Sequence, residues 1–357
     1  MPSSLVIRAG VRAAARLRQE GFHAELFDTL VGASGGPKWL VLRELDDLWI
    51  ERVVLPRTTP LDTLGSSIGS FRHACFAQHD PHAALARFAQ AYTEQTYACA
   101  PTPEAISVES ERILAHLLAD RGADDIVENP LVRSHFVAAR LRRDRGLDHG
   151  PGFRLQLAAA AGWNTLSRRL LGRSFERIVF STTEAATEPT IDFDDLPTCR
   201  ARLDAKNVGK ALLASGSIPL VMSGVRDVPG MAGTLFDGGI LDYHFDFAFR
   251  RRPGLVLFPH FFDRMTPGWF DKGLPWRRPR ARDLEDVLMI APSEEFIAGL
   301  PSRKLPDRND FLALGSEERI RRWQAVLVES QRLADELSAL LDSGRIADAI
   351  LPFPKAP

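Results

Sequence analysis

The chain has 357 residues, of which 45% are hydrophobic and 25% charged, values typical of a soluble globular protein with a sizeable core. Its 45 basic and 46 acidic residues leave a formal net charge of −1, so the overall charge favours neither a nucleic-acid partner nor an acidic surface. Three widely spaced cysteines, Cys75, Cys99 and Cys199, exclude a disulfide framework, argue against a zinc site and are typical of a reducing compartment.

The start of the chain alternates apolar stretches with Arg8, Arg12 and Arg16. A secretory signal needs an unbroken apolar segment, so residues 1–22 predict an amphipathic helix of the mature fold and no signal peptide. No stretch approaches the roughly 18 uncharged apolar residues that a transmembrane helix needs. We therefore expect a cytoplasmic location.

The next elements alternate between strand and helix. Residues 24–34 predict a strand with a buried face, and residues 35–54 predict a helix with Pro37 in its first turn. A short strand at residues 60–67 and a helix at residues 68–76 follow. This order favours an α/β fold with a mostly parallel sheet and helices on both faces.

The remaining chain begins with a block at residues 81–172 that is predicted to be mostly helical. Strand signals then resume at residues 175–183, 233–239, 253–262 and 286–292. A last amphipathic helix is predicted from about Glu317 to Leu341. We interpret residues 1–357 as one α/β domain, with a helical cap or insertion at about 81–172 and a C-terminal loop-plus-helix extension at about 263–357.

The stretch Gly65-Ser66-Ser67-Ile68-Gly69 matches the GxSxG pattern between a predicted strand and a predicted helix. In α/β hydrolases this pattern forms the nucleophile elbow, a sharp turn that presents the serine, and small residues such as Gly65 and Gly69 let the two elements approach closely. A small-residue turn without chemistry gives the same pattern. As a nucleophile elbow, the stretch would present Ser67, with Ser66 as the small residue beside it.

A second glycine-rich stretch, "GASGGPKW", runs from Gly32 to Trp39 before a predicted helix. Backbone N–H groups at such a helix start can bind a phosphate or stabilise an oxyanion, and a plain helix-start turn is the alternative. The stretch is not a Walker A loop, because Lys38 is followed by Trp39, and it does not match GxGxxG.

The third stretch is Asp237-Gly238-Gly239, directly after a short apolar run. Asp-Gly is an ordinary turn dipeptide, so a plain turn is one interpretation. In the other, Asp237 is the base or the orienting carboxylate for Ser67, and the glycines let the loop approach another backbone closely.

Together the three stretches resemble the patatin-like phospholipase family, in which a glycine-rich oxyanion loop, GxSxG and DG[GA] follow in this order. A fourth block, residues 212–225, is similar to the family's ASxAxP segment, and the resemblance covers roughly residues 24–250. It implies a three-layer α/β/α fold related to the α/β hydrolases. It also implies a Ser–Asp dyad with Ser67 as nucleophile and Asp237 as base, without metal or cofactor.

The same resemblance implies an oxyanion hole from the backbone N–H groups of Gly35, Gly36 and Lys38, since Pro37 has none. It further implies hydrolysis of a lipid ester, with a phospholipid, a lysophospholipid or an acylglycerol as substrate. Acyl transfer, a non-lipid ester or a catalytically dead lipid-binding scaffold are the alternatives. The chain departs from the family pattern at four places: Ser34, Trp39, Ile68 and Tyr243-His244-Phe245.

A histidine could instead complete a conventional triad, and His244 and His260 both follow Asp237 in the chain. A Ser–Asp dyad requires a carboxylate that takes the serine proton directly. The pKa of Asp237 should therefore be raised by burial among apolar neighbours.

Two segments are considered for peripheral membrane contact. Residues 133–177 hold ten arginines against three acidic residues, and residues 269–282 form a loop rich in tryptophan and arginine. A basic, apolar helix can lie on an anionic lipid surface, whereas a cap helix with solvated arginines explains the same composition. The sequence leaves the oligomeric state open.

Overall fold

A computed structural model describes most of the chain. The described residues are 3–97, 101–144, 146, 148–183, 193, 195–246, 249, 253–277, 279 and 283–354. Cys99, Arg145 and part of the 269–282 loop lie outside them.

Ten strands and eleven α-helices are formed by the described residues. The strands are β1 (Leu5–Ala9), β2 (Phe27–Gly32), β3 (Leu61–Ser66), β4 (Val132–Leu141), β5 (Phe175–Ser181), β6 (Thr198–Arg202), β7 (Leu235–Asp237), β8 (Leu255–Pro259), β9 (Val287–Pro292) and β10 (Ile350–Pro352). The helices are α1 (Val11–Glu20), α2 (Arg43–Trp49), α3 (Ile68–Phe76), α4 (Pro81–Glu94), α5 (Pro103–Leu118), α6 (Gly122–Glu128), α7 (Gly150–Leu166), α8 (Val208–Gly216), α9 (Glu294–Gly299), α10 (Asp310–Ala313) and α11 (Ser316–Asp342). A 3₁₀ helix, Gly36–Leu42, precedes α2, and a π-helical turn, Ile50–Val54, follows it.

All ten strands belong to one sheet. Its order is β10-β1-β9-β8-β2-β3-β4-β5-β6, and β7 pairs with β4 beside this path. The pairings are parallel except at β1–β9, β4–β5 and β4–β7. Strands β3, β8 and β9 are buried along their whole length, so both faces of the sheet are covered. The predicted α/β class with a mostly parallel central sheet is confirmed, and the arrangement is compatible with three layers.

Most of the regular elements predicted between residue 24 and the end of the chain are present. The strands predicted at 24–34, 60–67, 175–183, 233–239, 253–262 and 286–292 are β2, β3, β5, β7, β8 and β9. The predicted last helix is α11, and the helix predicted at residues 68–76 is α3. No helix within the described ranges is both long enough and apolar enough to cross a bilayer.

The start of the chain differs from the prediction of one amphipathic helix. The helix α1 is preceded by β1, in which Leu5, Ile7 and Ala9 are buried and alternate with partly exposed residues. This period of two is that of a strand, and β1 pairs with both β9 and β10. The prediction of a helix was therefore wrong for the first half of this segment.

The block predicted to be mostly helical contains a central strand. Strand β4 pairs with β3, β5 and β7, so residues 81–172 supply part of the sheet as well as helices. Its polar residue His135 is buried against Asp62 and Ser181, with ring nitrogens 3.1 and 2.8 Å from their oxygens. The predicted C-terminal extension likewise contributes β9 and β10 to the sheet.

Candidate active site

Ser67 lies at the turn between β3 and α3 in a backbone conformation that L-residues rarely adopt, with φ 55° and ψ −129°. Such a conformation costs about 1–3 kcal/mol and persists only where the surrounding fold imposes it. Ser67 is 5% exposed. The turn therefore has the geometry expected of a nucleophile elbow.

The glycines of the elbow are required by close packing. A Cβ atom at Gly69 would overlap the carbonyl oxygen of Gly32 at the end of β2. A Cβ atom at Gly65 would lie 2.6 Å from the Cα of Ser70. Helix α3 therefore packs against β2 and β3 at a distance that only glycine permits.

Ser215, at the end of α8, holds the backbone of the elbow. The N–H of Ser67 donates to the Oγ of Ser215 over 3.0 Å, and this hydroxyl donates to the carbonyl of Val137 in β4 over 2.6 Å. The Oγ of Ser70 lies 2.8 Å from the same hydroxyl. Residues 212–225 resemble a family segment, but no sequence pattern gave Ser215 a role.

The side chains of Ser67 and Asp237 are in direct contact. The Oγ of Ser67 donates to the Oδ2 of Asp237 over 2.6 Å. Burial raises the pKa of the Asp237 carboxyl to about 6, although the hydrogen bonds from Ser67 and Gly239 oppose this shift. The direction is the one expected for a carboxylate that takes a serine proton directly.

The loop after β7 brings three sequence blocks together. The N–H of Gly239 donates to the Oδ1 of Asp237 over 2.6 Å, which orients the carboxylate. A Cβ atom at Gly239 would lie 2.5 Å from the Oγ of Ser34, and that hydroxyl donates to the Oγ of Ser66 over 2.9 Å. Ser34, which replaces a glycine of the family pattern, thus links the glycine-rich stretch to the elbow.

A buried ion pair anchors the same loop five residues further on. The Oδ2 of Asp242 accepts from the Nε of Arg177 in β5 over 2.6 Å, and its Oδ1 accepts from Nη2 of Arg177 over 2.8 Å. Both side chains are fully buried, and Arg168 adds a contact of 3.3 Å. Asp195 also pairs with Arg177, over 2.9 Å, so a largely buried cluster of two arginines and two carboxylates keeps the loop in one position.

The glycine-rich stretch lies beside Ser67, but its three predicted donors are not equivalent. The 3₁₀ helix that starts at Gly36 is capped by Gly35, and its first intrahelical acceptor is therefore the Gly35 carbonyl. The matching donor is the N–H of Lys38, three residues later. The N–H groups of Gly35 and Gly36 precede this hydrogen bond and stay the predicted donors to an oxyanion, and Gly36 adopts a positive φ of 54°.

The two histidines considered for a triad lie together but away from the serine. Their ring centroids are 4.3 Å apart, and among the described residues neither forms a hydrogen bond with Ser67 or Asp237. His244 accepts from the N–H of Thr266 over 2.8 Å. Burial lowers the pKa of His260 to about 4 and that of His244 well below its usual value. Both are therefore neutral core residues at pH 7.

Two cavities meet at Ser67. The polar cavity, of about 180 Å³, has charged side chains in its wall, namely Lys38, Asp237, Lys272, Asp307 and Arg308. The apolar cavity, of about 380 Å³, is walled mainly by hydrophobic side chains, including Ile68, Phe71, Ile106, Ile113, Leu220, Met222 and Leu312. Ser67 lines both cavities, whereas Asp237 lines only the polar one.

The described arginines of residues 133–177 differ in burial. Arg168 and Arg177 are buried in the ion pairs around Asp242, so they do not face a membrane. Arg133 and Arg140 are partly exposed, and the fully exposed ones are Arg142, Arg143, Arg154, Arg169 and Arg173. In the 269–282 loop, Trp269 lines the polar cavity and Trp276 is 63% exposed.

Comparison with known proteins gives one partial structural match. The crystal structure of VipD from Legionella pneumophila aligns with a TM-score of 0.31 and 11% sequence identity, over 72% of this chain and 53% of that one. The chain thus spans about half the length of the protein it matches. No family model and no curated protein matches the sequence.

Proposed function

We propose that the protein is a serine acyl-ester hydrolase of the patatin-like type, acting on lipid esters through a dyad of Ser67 and Asp237. The hydrogen bond of 2.6 Å between Ser67 Oγ and Asp237 Oδ2 carries this proposal. The strained turn at Ser67, the buried carboxylate and the adjoining apolar cavity support it.

In the first half of the reaction, Ser67 Oγ attacks the ester carbonyl carbon while its proton passes to Asp237 Oδ2. The tetrahedral oxyanion lies against the N–H groups of Gly35 and Gly36, and the N-terminus of α3 adds positive potential. The carbon–oxygen bond to the alcohol then breaks, and Asp237 returns the proton to the leaving oxygen. The result is an acyl-Ser67 enzyme and a free alcohol.

In the second half, a water molecule takes the place of the alcohol. The water oxygen attacks the acyl carbon while Asp237 accepts a proton from the water. Asp237 then returns that proton to Ser67 Oγ as the fatty acid leaves. A carboxyl pKa of about 6 suits Asp237 both as base and as acid. At pH 7 the carboxyl group is mostly ionised and can accept a proton, and its pKa is near enough to the pH for the protonated form to donate that proton again.

The apolar cavity suits a fatty acyl chain, and peripheral contact with a lipid surface fits such a substrate. Exposed arginines of residues 133–177 are available for that contact, namely Arg142, Arg143, Arg154, Arg169 and Arg173. A sedimentation assay with vesicles of neutral and anionic lipid tests the contact, and equal recovery with both would contradict an electrostatic contribution.

A fluorophosphonate probe tests the hydrolase assignment. We expect covalent labelling of the wild type and none of Ser67→Ala. The matched control is Ser66→Ala, which should still be labelled because the Ser66 hydroxyl is engaged with Ser34. An unlabelled wild type, or undiminished labelling of Ser67→Ala, would contradict the proposal. Hydrolysis of acyl esters of increasing chain length then separates a lipid substrate from a short-chain one.

A further inference from the structure

Three cationic side chains line the polar cavity, Lys38, Lys272 and Arg308, and Arg308 lies where the two cavities meet, because it lines the apolar cavity as well. Within the described ranges no carboxylate forms an ion pair with any of them. Of the two carboxylates in the cavity wall, Asp307 pairs with Lys304 over 2.8 Å and Asp237 accepts the Ser67 hydroxyl. Asp307 partly offsets the charge of Lys38, and Asp237 partly offsets that of Lys272. With three cations and two carboxylates, the wall of the cavity keeps a net positive charge.

The geometry keeps these cations close to one another. The ammonium of Lys272 lies 3.9 Å from the centroid of the Tyr243 ring, a cation–π contact that holds it against the cavity wall. Withdrawal from water, together with the nearby Lys38 and Arg308, lowers the pKa of Lys272 to about 8. Like charges around a small cavity repel, and an anion placed between them would offset that repulsion.

The position of Asp237 determines which part of an ester would occupy this cavity. The proton that Asp237 receives from Ser67 must pass to the leaving oxygen, so the leaving group has to lie on the side of Asp237. Asp237 lines the polar cavity and not the apolar one. The acyl chain therefore extends into the apolar cavity and the alcohol into the polar cavity.

We propose that the polar cavity is a leaving-group subsite for an alcohol that carries a phosphate or carboxylate, bound by Lys38, Lys272 and Arg308. This inference rests on the proposed hydrolase function. Lys272 and Arg308 lie beyond residue 250, outside the segment that resembles the patatin-like family.

The substrate class that follows is a single-chain fatty acyl ester of a small anionic alcohol. The polar cavity, at about 180 Å³, is less than half the volume of the apolar one, and three cations line it beside apolar residues such as Ile240 and Trp269. It therefore suits a small anionic alcohol better than a second acyl chain. On reaction the carbon–oxygen bond of the ester breaks, the Ser67 Oγ–carbon bond forms, and the anionic alcohol leaves with the proton from Asp237.

Kinetics with three esters of the same dodecanoyl chain, measured below their micellar concentrations, test the subsite. The alcohols are glycerol 3-phosphate, glycolate as the carboxylate, and uncharged glycerol. We expect kcat/KM for at least one anionic ester to exceed that for the glycerol ester by about tenfold or more, the size of a charged hydrogen bond. The anionic ester with the higher value identifies the anion, and no advantage for either would overturn the proposal.

Charge-removing variants assign the effect to the named residues. Lys272→Gln and Arg308→Gln should each lower the ratio of kcat/KM between the preferred anionic ester and the glycerol ester by about tenfold. The matched controls, Lys206→Gln and Arg18→Gln, remove exposed cations that line neither cavity and should leave the ratio unchanged. An equal ratio in all four variants would overturn the assignment.

A binding measurement separates failure of the subsite from failure of the hydrolase proposal. Isothermal titration with glycerol 3-phosphate and with glycolate should detect binding of at least one to the wild type and to Ser67→Ala. We expect that binding to weaken by about tenfold in Lys272→Gln and in Arg308→Gln. If Ser67 is not labelled by the probe but this pattern holds, the hydrolase proposal fails and the anion site stands. Absence of binding, or binding that ignores both substitutions, overturns the anion site.

Discussion

Ser67 and Asp237 are separated by 170 positions in the chain, yet their side-chain oxygens lie 2.6 Å apart in a buried environment. Parallel pairing of β3 with β4 and antiparallel pairing of β7 with β4 account for this approach. Ser66 pairs with Val137 and Asp237 with the next residue, Ala138, so the turn after β3 and the end of β7 meet on one strand.

This contact predicts a pH profile. Because Asp237 must be ionised to take the proton, kcat/KM for a neutral ester should rise with pH up to about 6 and level off above it. Initial rates between pH 4.5 and 8 measure the profile. Asp237→Asn should lower kcat by about 10²–10⁴-fold and remove this limb. A profile that is flat through pH 6, or a variant with full activity, would contradict the role of Asp237.

The same pKa shift predicts how stability depends on pH. The carboxyl pKa is raised from 3.8 to about 6 in the fold, so the folded chain binds this proton more tightly than the unfolded chain. Ionisation between those values therefore destabilises the fold as the pH rises, by an amount on the order of 3 kcal/mol. The Asp237→Asn variant has no carboxyl group to ionise at this position, so it does not lose this part of its unfolding free energy. Denaturation at pH 4 and pH 7 should show a smaller fall in unfolding free energy for the variant than for the wild type.

Ser215→Ala should weaken the site without touching the reacting atoms. It leaves the N–H of Ser67 and the carbonyl of Val137 without their partner, at a cost of about 1–3 kcal/mol. We expect slower labelling of Ser67 by a fluorophosphonate, by about tenfold or more. Ser70→Ala is the control, because it removes a hydroxyl from the same cluster and leaves the Ser67 N–H bonded. Equal labelling rates in the two variants would argue against a positioning role for Ser215.

Gly69→Ala should disrupt the elbow. The added methyl group would overlap the carbonyl oxygen of Gly32, and backbone cannot move aside as a flexible side chain can. A loss of about 3 kcal/mol in unfolding free energy is expected, together with loss of activity. Gly162→Ala in α7 is the matched control, since nothing lies within 4 Å of its added atom. That change should raise stability by up to about 1 kcal/mol through helix propensity. Similar urea midpoints for both variants would contradict the close packing.

The buried ion pair of Asp242 and Arg177 should be costly to break. Asp242→Asn removes the fully buried counter-charge of Arg177 and leaves it only the partly buried Asp195, so we expect a loss of about 3 kcal/mol, the low end for a broken buried pair. The comparison is Glu329→Gln, which breaks an exposed pair with Arg332 and should cost less than about 1 kcal/mol. Urea denaturation of both variants measures the difference, and comparable losses would show that the buried pair does not anchor the loop.

The strands and helices that the sequence predicted correctly carry local signals. Strand β3 contains Gly65 and helix α3 contains Gly69 of the GxSxG motif, and β8 and β9 are short apolar runs. Strand β4 was missed because it mixes apolar residues with Ser134 and His135, and the ring of His135 is compensated by Ser181 on β5 and Asp62 on β3. These partners lie on strands that are distant in the chain, so a short stretch of sequence around β4 does not show them.

In the candidate site, too, the sequence identified residues in local motifs but not residues that reach the site from distant parts of the chain. Ser67 and Asp237 lie in short glycine-marked motifs and could be singled out directly. Ser215, Lys272 and Arg308 could not, because each reaches the site through packing between distant parts of the chain. A lone lysine or arginine in a loop has no sequence pattern that separates it from a solvated surface residue.

The unequal access of Asp237 to the two cavities has a consequence for esters of a long-chain alcohol with a short acid. The long alcohol chain of such an ester fits the apolar cavity, so the ester can also bind in the reversed direction, in which no proton donor reaches the leaving oxygen. Such nonproductive binding lowers kcat and KM by the same factor and leaves kcat/KM unchanged. These esters would then bind tightly and turn over slowly, so that tight binding alone would not identify a good substrate.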